Sequence, residues 1–152
     1  MSGRRVLVLN GPNLGRLGSR EPEIYGTATL EDLAAELPGL APADWNIDVR
    51  QSDDEAELMV WLHEAVDTAS AVILNPAAFT HYSYGLRDAA AQVTGARLPL
   101  IEVHLSNPHA REAFRQNSVI SAVASGVIAG FGFDSYRLAL RRLVDAAAAG
   151  SW

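Results

Sequence analysis

Short runs of apolar residues recur along the chain and predict the strands of a parallel sheet. Most of these runs are apolar enough to be covered on both faces, and one alternates apolar with polar positions as a half-exposed strand does. In chain order the predicted strands cover residues 6–9, 45–50, 71–74, 98–105 and 126–129. A chain of 152 residues with this spacing is expected to form one domain, 1–152.

Helical periodicity fills the intervals between the strands. Thr29 with Asp32, and Ser52 with Glu55, match the capping-box pattern and predict where the first two helices begin. Later helices are predicted over 86–95, from Pro108 onward and over 136–147, with a frayed tail at 146–152. Strands that alternate with helices predict an α/β fold with a five-stranded parallel sheet and helices on both faces.

Polar residues cluster where the predicted strands end. Asn10 and Asn13 follow the first strand, residues 75–81 follow the third, and residues 102–106 end the fourth. In open parallel sheets, ligands bind at the carboxyl ends of the strands, beside the switch in strand order. The sequence therefore predicts a binding site at this edge.

The segment 10–26 is a long connection for so small a chain, and such connections are usually functional when they are ordered. Its four glycines and two prolines are interleaved with Asn13, Arg20 and Tyr25. This combination is typical of a loop that closes over a polar ligand. We therefore predict a lid at about residues 15–27.

Strand four carries polar residues at alternate positions. Glu102, His104 and Ser106 project to one side of the strand, whereas Val103 and Leu105 project to the other. A buried carboxylate and a buried imidazole are costly unless they are paired. We expect Glu102 and His104 to pair with each other or with a ligand, and a purely structural pair at the sheet edge is the alternative.

Three further basic residues lie near the predicted site. His81 is predicted at the start of a helix, where the dipole favours a neutral imidazole that binds a ligand oxygen, although a capping or turn histidine fits equally well. Arg111 and Arg115, at i and i+4 of the short helix from Pro108, are predicted to clamp a carboxylate. The same spacing is also typical of a solvated helix face.

Composition and charge exclude several classes of protein. The net charge of −6 argues against nucleic-acid binding, and the chain has no cysteine for a disulfide or thiolate metal site. The first strand begins without a charged and apolar leader, and no run reaches the length of a membrane span, so we expect a cytoplasmic protein. A metal site at His81, His104, His109 and Glu102 is a minority interpretation, because no metal-ligand spacing is present.

Several segments together resemble one known enzyme family. They cover residues 10–14, 20–22, 25–26, 50–52, 75–81, 87–88, 102–107, 109–112 and 114–115, and the match runs in order from residue 5 to about 143. In this order they resemble type II 3-dehydroquinate dehydratase. The resemblance implies a flavodoxin-like subunit that converts 3-dehydroquinate to 3-dehydroshikimate, in the shikimate pathway or in quinate breakdown, without metal or cofactor.

The resemblance also implies catalytic roles by position. Tyr25 is the implied base, and Arg20 is the cation that makes its phenolate accessible. Asn13 is implied to stabilise the enolate through a water. His104, held by Glu102, is the implied acid that protonates the departing hydroxyl.

Substrate binding and assembly follow from the same resemblance. The implied ligands of the anionic carbocycle are Asn75, His81, Leu105, Ser106 and Arg115, with Arg111 as a further carboxylate clamp. Asp88 is implied to reach the site of a neighbouring subunit in a homododecamer built from trimers. The short helix before strand two, with Pro38 and Gly39, departs from the family and leaves the assembly size open.

Two other functions compete with this interpretation. A flavin or nucleotide carrier on the same fold requires a phosphate-binding loop after strand one, and the sequence Pro12-Asn13-Leu14 is a poor one. A response-regulator-like switch requires an acidic cluster at that position, where this chain has asparagines. A relative that has lost activity is a third possibility, against which the intact Tyr25, Arg20 and His104 argue.

Overall fold

Five parallel strands form one sheet in the computed structural model, which describes residues 3–19 and 22–152, except for the side chains of Ile24 and Tyr25. The strands are β1 (Arg5–Asn10), β2 (Asn46–Gln51), β3 (Ala71–Asn75), β4 (Leu100–His104) and β5 (Gly126–Ala129). Their order in the sheet is β2-β1-β3-β4-β5. The order reverses at β1, which is the flavodoxin-like arrangement, and the ligand crevice is therefore expected between β1 and β3.

Five α-helices connect and cover these strands in the described part of the chain. They are α1 (Pro22–Tyr25), α2 (Leu30–Glu36), α3 (Glu55–Asp67), α4 (Tyr84–Gly95) and α5 (Asp134–Ala148). Short 3₁₀ turns occupy Leu14–Arg16, Leu37–Leu40, Ala77–His81, Pro108–Ala110 and Ala113–Gln116. Within residues 3–19 and 22–152, every helix is too short or too polar to cross a bilayer.

Alternation along the strands divides the apolar residues into two cores. In β1, Val6 and Val8 pack with Tyr136 of α5, whereas Leu7 and Leu9 pack with Leu58 of α3. All six side chains are fully buried. A fully buried aliphatic side chain contributes about 1.5–3 kcal/mol to the stability of the fold. Because one core lies on each face of the sheet, helices pack on both faces, as the sequence predicted.

The structure confirms one predicted capping box and corrects the other. Thr29 and Asp32 exchange both hydrogen bonds at the start of α2. At α3 the prediction is wrong, because the N-cap is Asp54, whose carboxylate accepts from the backbone N of Ala56 at 2.9 Å. Ser52 instead accepts from the backbone N of Asp54, which shapes the turn before the helix.

Two further boundaries differ from the sequence predictions. Strand four is shorter than the predicted 98–105, because Leu98 still belongs to the turn that ends α4 and donates its backbone N–H to Val93. The tail does not fray as predicted, since α5 continues to Ala148. Beyond it, Trp152 packs edge-on against Trp45, with 5.4 Å between ring centroids.

Candidate active site

A cavity of about 150 Å³ opens at the carboxyl ends of β1, β3 and β4. It lies where the strand order reverses, as the position of the polar residues predicted. Its lining comprises Pro12, Asn13, Leu14, Asn75, Ala77, Ala78, His81, His104, Leu105, Ser106, Pro108, Arg111 and Arg115. Eight of the twelve predicted site residues are in this set, from four separate segments of the chain.

Glu102 and His104 form a buried pair at the end of β4. The imidazole Nε2 lies 2.5 Å from the Glu102 carboxylate, and the two residues are 1% and 8% exposed. Only His104 of the two lines the cavity. The expected pairing is therefore present, with the carboxylate behind the imidazole as seen from the cavity.

Three hydroxyl groups complete the surroundings of the Glu102 carboxylate. Thr80 Oγ1 donates at 2.9 Å and Ser121 Oγ at 2.6 Å, and Ser118 Oγ lies 3.1 Å from the carboxylate and 2.5 Å from Thr80 Oγ1. Burial raises the pKa of this carboxyl, but the hydrogen bonds from His104, Ser121 and Thr80 together hold the pKa below its usual value. The carboxylate is consequently ionised at neutral pH.

The ionised carboxylate fixes which ring nitrogen of His104 carries the proton. Because a carboxylate only accepts, Nε2 must donate, and Nδ1 is the remaining ring nitrogen. In the protonated imidazole, Nδ1 also bears a hydrogen. His104 can therefore deliver a proton from Nδ1 while Glu102 holds the ring in place.

Two positively charged arginines also line the cavity. Arg111 donates to the Ser106 hydroxyl at 3.2 Å, and Arg115 is paired with Glu112 at 3.2 Å. The predicted single helix is wrong here, because Arg111 is extended between two 3₁₀ turns. Both guanidinium groups still reach the cavity, where they can bind an anion.

Asn13 and His81 also line the cavity. Asn13 adopts a left-handed conformation with φ 70°, which asparagine tolerates better than most residues, and Asp53 accepts from its backbone N. His81 does not start a helix as predicted, because it ends a 3₁₀ turn and α4 begins at Tyr84. Its Nδ1 lies 2.8 Å from the carbonyl oxygen of Asn117, so Nδ1 carries a hydrogen and Nε2 can accept.

Of the remaining four predicted residues, Asp88 and Glu102 do not line the cavity, and Arg20 and the Tyr25 side chain are not described. Arg20 lies outside the described residues, and Tyr25 ends α1 with a side chain that also lies outside them. Asp88, on α4, has a 76% exposed side chain that pairs with Arg87. Glu102 is placed behind His104, as described above. In the described ranges, no three histidine or acidic side chains come together as a metal site.

The sequence predictions missed the residues that support the pair. Thr80, Ser118 and Ser121 are separated from Glu102 by 16 to 22 positions, and hydroxyl residues are common in loops. The only signal in the sequence was a carboxylate in a buried strand. Such a carboxylate requires hydrogen-bond donors, but the sequence does not show which residues supply them.

Comparisons with known proteins agree on one family. The model of the family described as dehydroquinase class II matches residues 4–144. The chain is 59% identical over 141 residues to the 3-dehydroquinate dehydratase of Salinispora tropica, which covers 91% of this chain and 96% of that one. It is 50% identical over 143 residues to 3-dehydroquinate dehydratase 2 of Pseudomonas aeruginosa, covering 93% and 95%.

A solved structure is similar over the same region. The type II dehydroquinase from Propionibacterium acnes superimposes with a TM-score of 0.89 at 49% identity. The superposition covers 94% of this chain and 97% of that structure. The similarity therefore extends from sequence to the whole described fold.

Proposed function

This chain belongs to the dehydroquinase class II family, and on that premise we propose that its cavity binds 3-dehydroquinate and removes water from it to give 3-dehydroshikimate. The enzyme is a hydro-lyase, and its reaction belongs to the shikimate pathway. The observation that supports the proposed site best is the buried Glu102 and His104 pair beside a cavity with two arginines.

The proposed reaction begins with removal of a proton. Tyr25, as a phenolate, takes it from the carbon beside the ketone, and the electron pair moves to the ketone oxygen as an enolate. A free tyrosine has a pKa near 10, so a pKa of about 7 requires roughly 4 kcal/mol of phenolate stabilisation. Arg20 is proposed to supply much of it, since a nearby opposite charge lowers a pKa by about 1–3 units. Asn13 is proposed to stabilise the enolate oxygen through a water.

The second step breaks the bond to the leaving hydroxyl. The ketone reforms, the electron pair makes the new carbon–carbon double bond, and His104 protonates the departing hydroxyl through Nδ1, so that water leaves. The ionised Glu102 supports this role because it keeps Nε2 occupied. The overall process is an anti elimination that requires a base, an oxyanion stabiliser and an acid, and no metal or cofactor takes part in it.

The remaining cavity residues are proposed to orient the substrate. Arg115 and Arg111 suit its carboxylate, because guanidinium groups bind carboxylates with two parallel hydrogen bonds. Asn75, His81, Ser106 and the backbone of Leu105 offer donors and acceptors for its hydroxyls. The segment 15–27 is proposed to close over the bound substrate and exclude water.

Asp88 bears on the proposed assembly of the protein. The Asp88 carboxylate is exposed and does not line the cavity of its own chain, which supports a role in the site of a neighbouring subunit. We infer a homododecamer built from trimers and a cytoplasmic location. Sedimentation of the wild-type chain and of Asp88→Ala tests the assembly.

The experiment for the catalytic roles adds 3-dehydroquinate and follows the ultraviolet absorbance of the conjugated enone product. Both His104→Ala and Tyr25→Phe are expected to lower kcat by at least about 10²-fold, the typical contribution of a general acid or base, while KM changes little. His63→Ala is the matched control, because His63 is exposed on α3 away from the cavity. Turnover at the wild-type rate in either variant would contradict the proposed mechanism, and adding a chelator should leave the rate unchanged.

A further inference from the structure

A chain of three buried polar side chains lies beneath the cavity. The Asn75 Nδ2 amide group donates to the Tyr136 hydroxyl at 2.8 Å, and that hydroxyl donates to Asn10 Oδ1 at 2.6 Å. Asn10 and Tyr136 are fully buried, and Asn75 is 2% exposed. Tyr136 belongs to α5 and the two asparagines end β1 and β3, so the chain joins three elements that are distant in sequence.

Backbone groups at both ends determine the direction of every hydrogen bond in this chain. Asn10 Nδ2 faces the carbonyl oxygens of Arg50 and Val8, at 3.0 and 3.4 Å, and carbonyl oxygens only accept. Asn10 must therefore present its oxygen to Tyr136. Since the tyrosine has one hydroxyl hydrogen and gives it to Asn10, only its lone pairs face Asn75.

The orientation of the Asn75 amide follows from these constraints. Its nitrogen faces Tyr136, and its oxygen accepts from the backbone N of Ala77 at 3.1 Å. The nitrogen carries two N–H groups, and the second has no acceptor among the described residues. Asn75 also lines the cavity, so this second N–H is available to a ligand there.

We propose that Tyr136 is a positioning residue, whose hydroxyl holds the Asn75 amide in the orientation that offers an N–H to the substrate. Tyr136 does not reach the cavity lining itself and acts only through Asn75. The inference rests on the proposed function of the cavity, in which Asn75 binds a substrate oxygen. It adds a residue of the last helix to the determinants of substrate affinity.

Two properties of the surroundings support this proposal. Burial raises the pKa of the Tyr136 hydroxyl, despite the hydrogen bond from Asn75, so the hydroxyl keeps its proton and remains a donor at all ordinary pH values. Ala77 has a φ of 51°, a left-handed conformation that alanine rarely adopts, and its N–H bonds to Asn75. A rotated Asn75 amide would direct N–H against N–H at this position, which would disturb the cavity wall.

The test compares Tyr136→Phe, Asn75→Ala and the double variant by steady-state kinetics with 3-dehydroquinate. Tyr136→Phe keeps the ring and removes the hydroxyl, and we expect KM to rise about tenfold with kcat within about twofold, as for the loss of one buried hydrogen bond to the substrate. Asn75→Ala should raise KM by at least as much. In the Asn75→Ala background, the tyrosine substitution should have no further effect on KM, because the two residues act through one contact.

Ser70→Ala is the matched control for loss of a buried hydroxyl. Ser70 is fully buried at the opposite end of the sheet, just before β3, and bonds to Thr68. We expect it to lower thermal stability without changing KM. If the role of Tyr136 were merely structural, Tyr136→Phe would also lower thermal stability and leave KM unchanged.

The outcomes separate this inference from the proposed function of the site. A raised KM in Asn75→Ala with a wild-type KM in Tyr136→Phe overturns the role of Tyr136 alone. A wild-type KM in Asn75→Ala overturns both the proposed role of Asn75 and the inference built on it. Should Tyr136→Phe fail to fold, Asn10→Ala frees the hydroxyl hydrogen to turn toward Asn75, and it must raise KM in the same way for the inference to hold.

Discussion

Two glutamates of this protein are both ionised, and their surroundings differ completely. Glu102 is 1% exposed and is held by three hydroxyls and an imidazole. The side chain of Glu64, on α3, is 35% exposed and lies within 3.0 Å of the guanidinium groups of Arg5 and Arg50. Hydrogen bonding from Arg50 lowers the pKa of Glu64, against the opposing effect of burial.

The difference shows how a buried carboxylate can stay charged and still act on a neighbouring histidine. At Glu64 two permanent cations, which are shared with Asp48, balance the negative charge, and no group there can gain or lose a proton readily. At Glu102 the hydroxyls stabilise the negative charge without cancelling it, and His104 is the partner that can gain or lose a proton. The arginine-rich cluster is therefore typical of a structural contact, whereas the hydroxyl-rich cluster supports the proposed active site.

The largest expected effect in this comparison belongs to Glu102→Gln. The substitution removes the charge that fixes Nε2 of His104 as the donor, so the proposed acid loses both its orientation and its counter-charge. We expect kcat to fall by about 10²-fold, at the lower end of general-acid contributions, with little change in KM. Steady-state kinetics with 3-dehydroquinate measures both constants.

The matched control is Glu64→Gln, which makes the same atomic change at the other glutamate. It should leave kcat and KM at the wild-type values. An equal loss of kcat in both variants would show that any lost carboxylate disturbs the enzyme, and the contrast drawn between the two sites would be wrong.

The second effect concerns pH and the Ser121 hydroxyl. Ser121→Ala removes the 2.6 Å donor to Glu102 and should raise the pKa of that carboxyl. A hydrogen bond to a charged group contributes about 1.5–3 kcal/mol, and the remaining donors compensate in part, so we expect the pKa of this carboxyl, followed by NMR of its carboxyl carbon, to rise by about one unit. Ser125→Ala is the control, because Ser125 bonds to the backbone N of Leu100 and not to the carboxylate.

The same substitution should change the acid stability of the fold. The pKa of Glu102 is lowered in the folded state, so its contribution to stability is present above the unfolded value of about 4.3 and is lost as pH falls through the folded value. Raising the folded pKa in Ser121→Ala should shift acid unfolding to higher pH. If acid unfolding and the pKa of Glu102 were both unchanged, the hydroxyl would have no electrostatic role.

The smallest effect is expected for Glu64→Gln in thermal unfolding. Partly exposed ion pairs contribute about 0–1 kcal/mol, which corresponds to at most about 2–4 °C in a chain of this size. The shift in Tm should shrink at high salt, because mobile ions screen exposed charges. A large shift that is independent of salt would mean that this cluster behaves as a buried one.

Local patterns predicted the fold well where a residue and its partner are close in sequence. The strand positions, the Thr29 and Asp32 capping box and the Glu102 and His104 pair all depend on short separations, and the structure confirms them. The α3 start failed because Ser52 and Asp54 offer competing caps of similar strength, and tertiary context selected the second.

The site itself was predicted in part. Residues at strand ends were identified because parallel strands bring their carboxyl ends to one edge. The arginines were assigned to the cavity correctly, although the helix predicted to carry them is replaced by two 3₁₀ turns. The positions implied for Arg20 and Tyr25 remain predictions, because the residues or side chains concerned lie outside the described ones.

The sequence by itself determined the α/β architecture, the edge that carries the site and the identity of most residues there, because hydrophobic period, turn residues and local motifs act over a few positions. Only the tertiary structure decided how those residues are supported. The hydroxyls around Glu102 and the contact from Tyr136 to Asn75 join positions up to 61 residues apart. Such contacts depend on how helices and loops pack against the sheet, and buried polar groups accept whichever donors that packing brings to them.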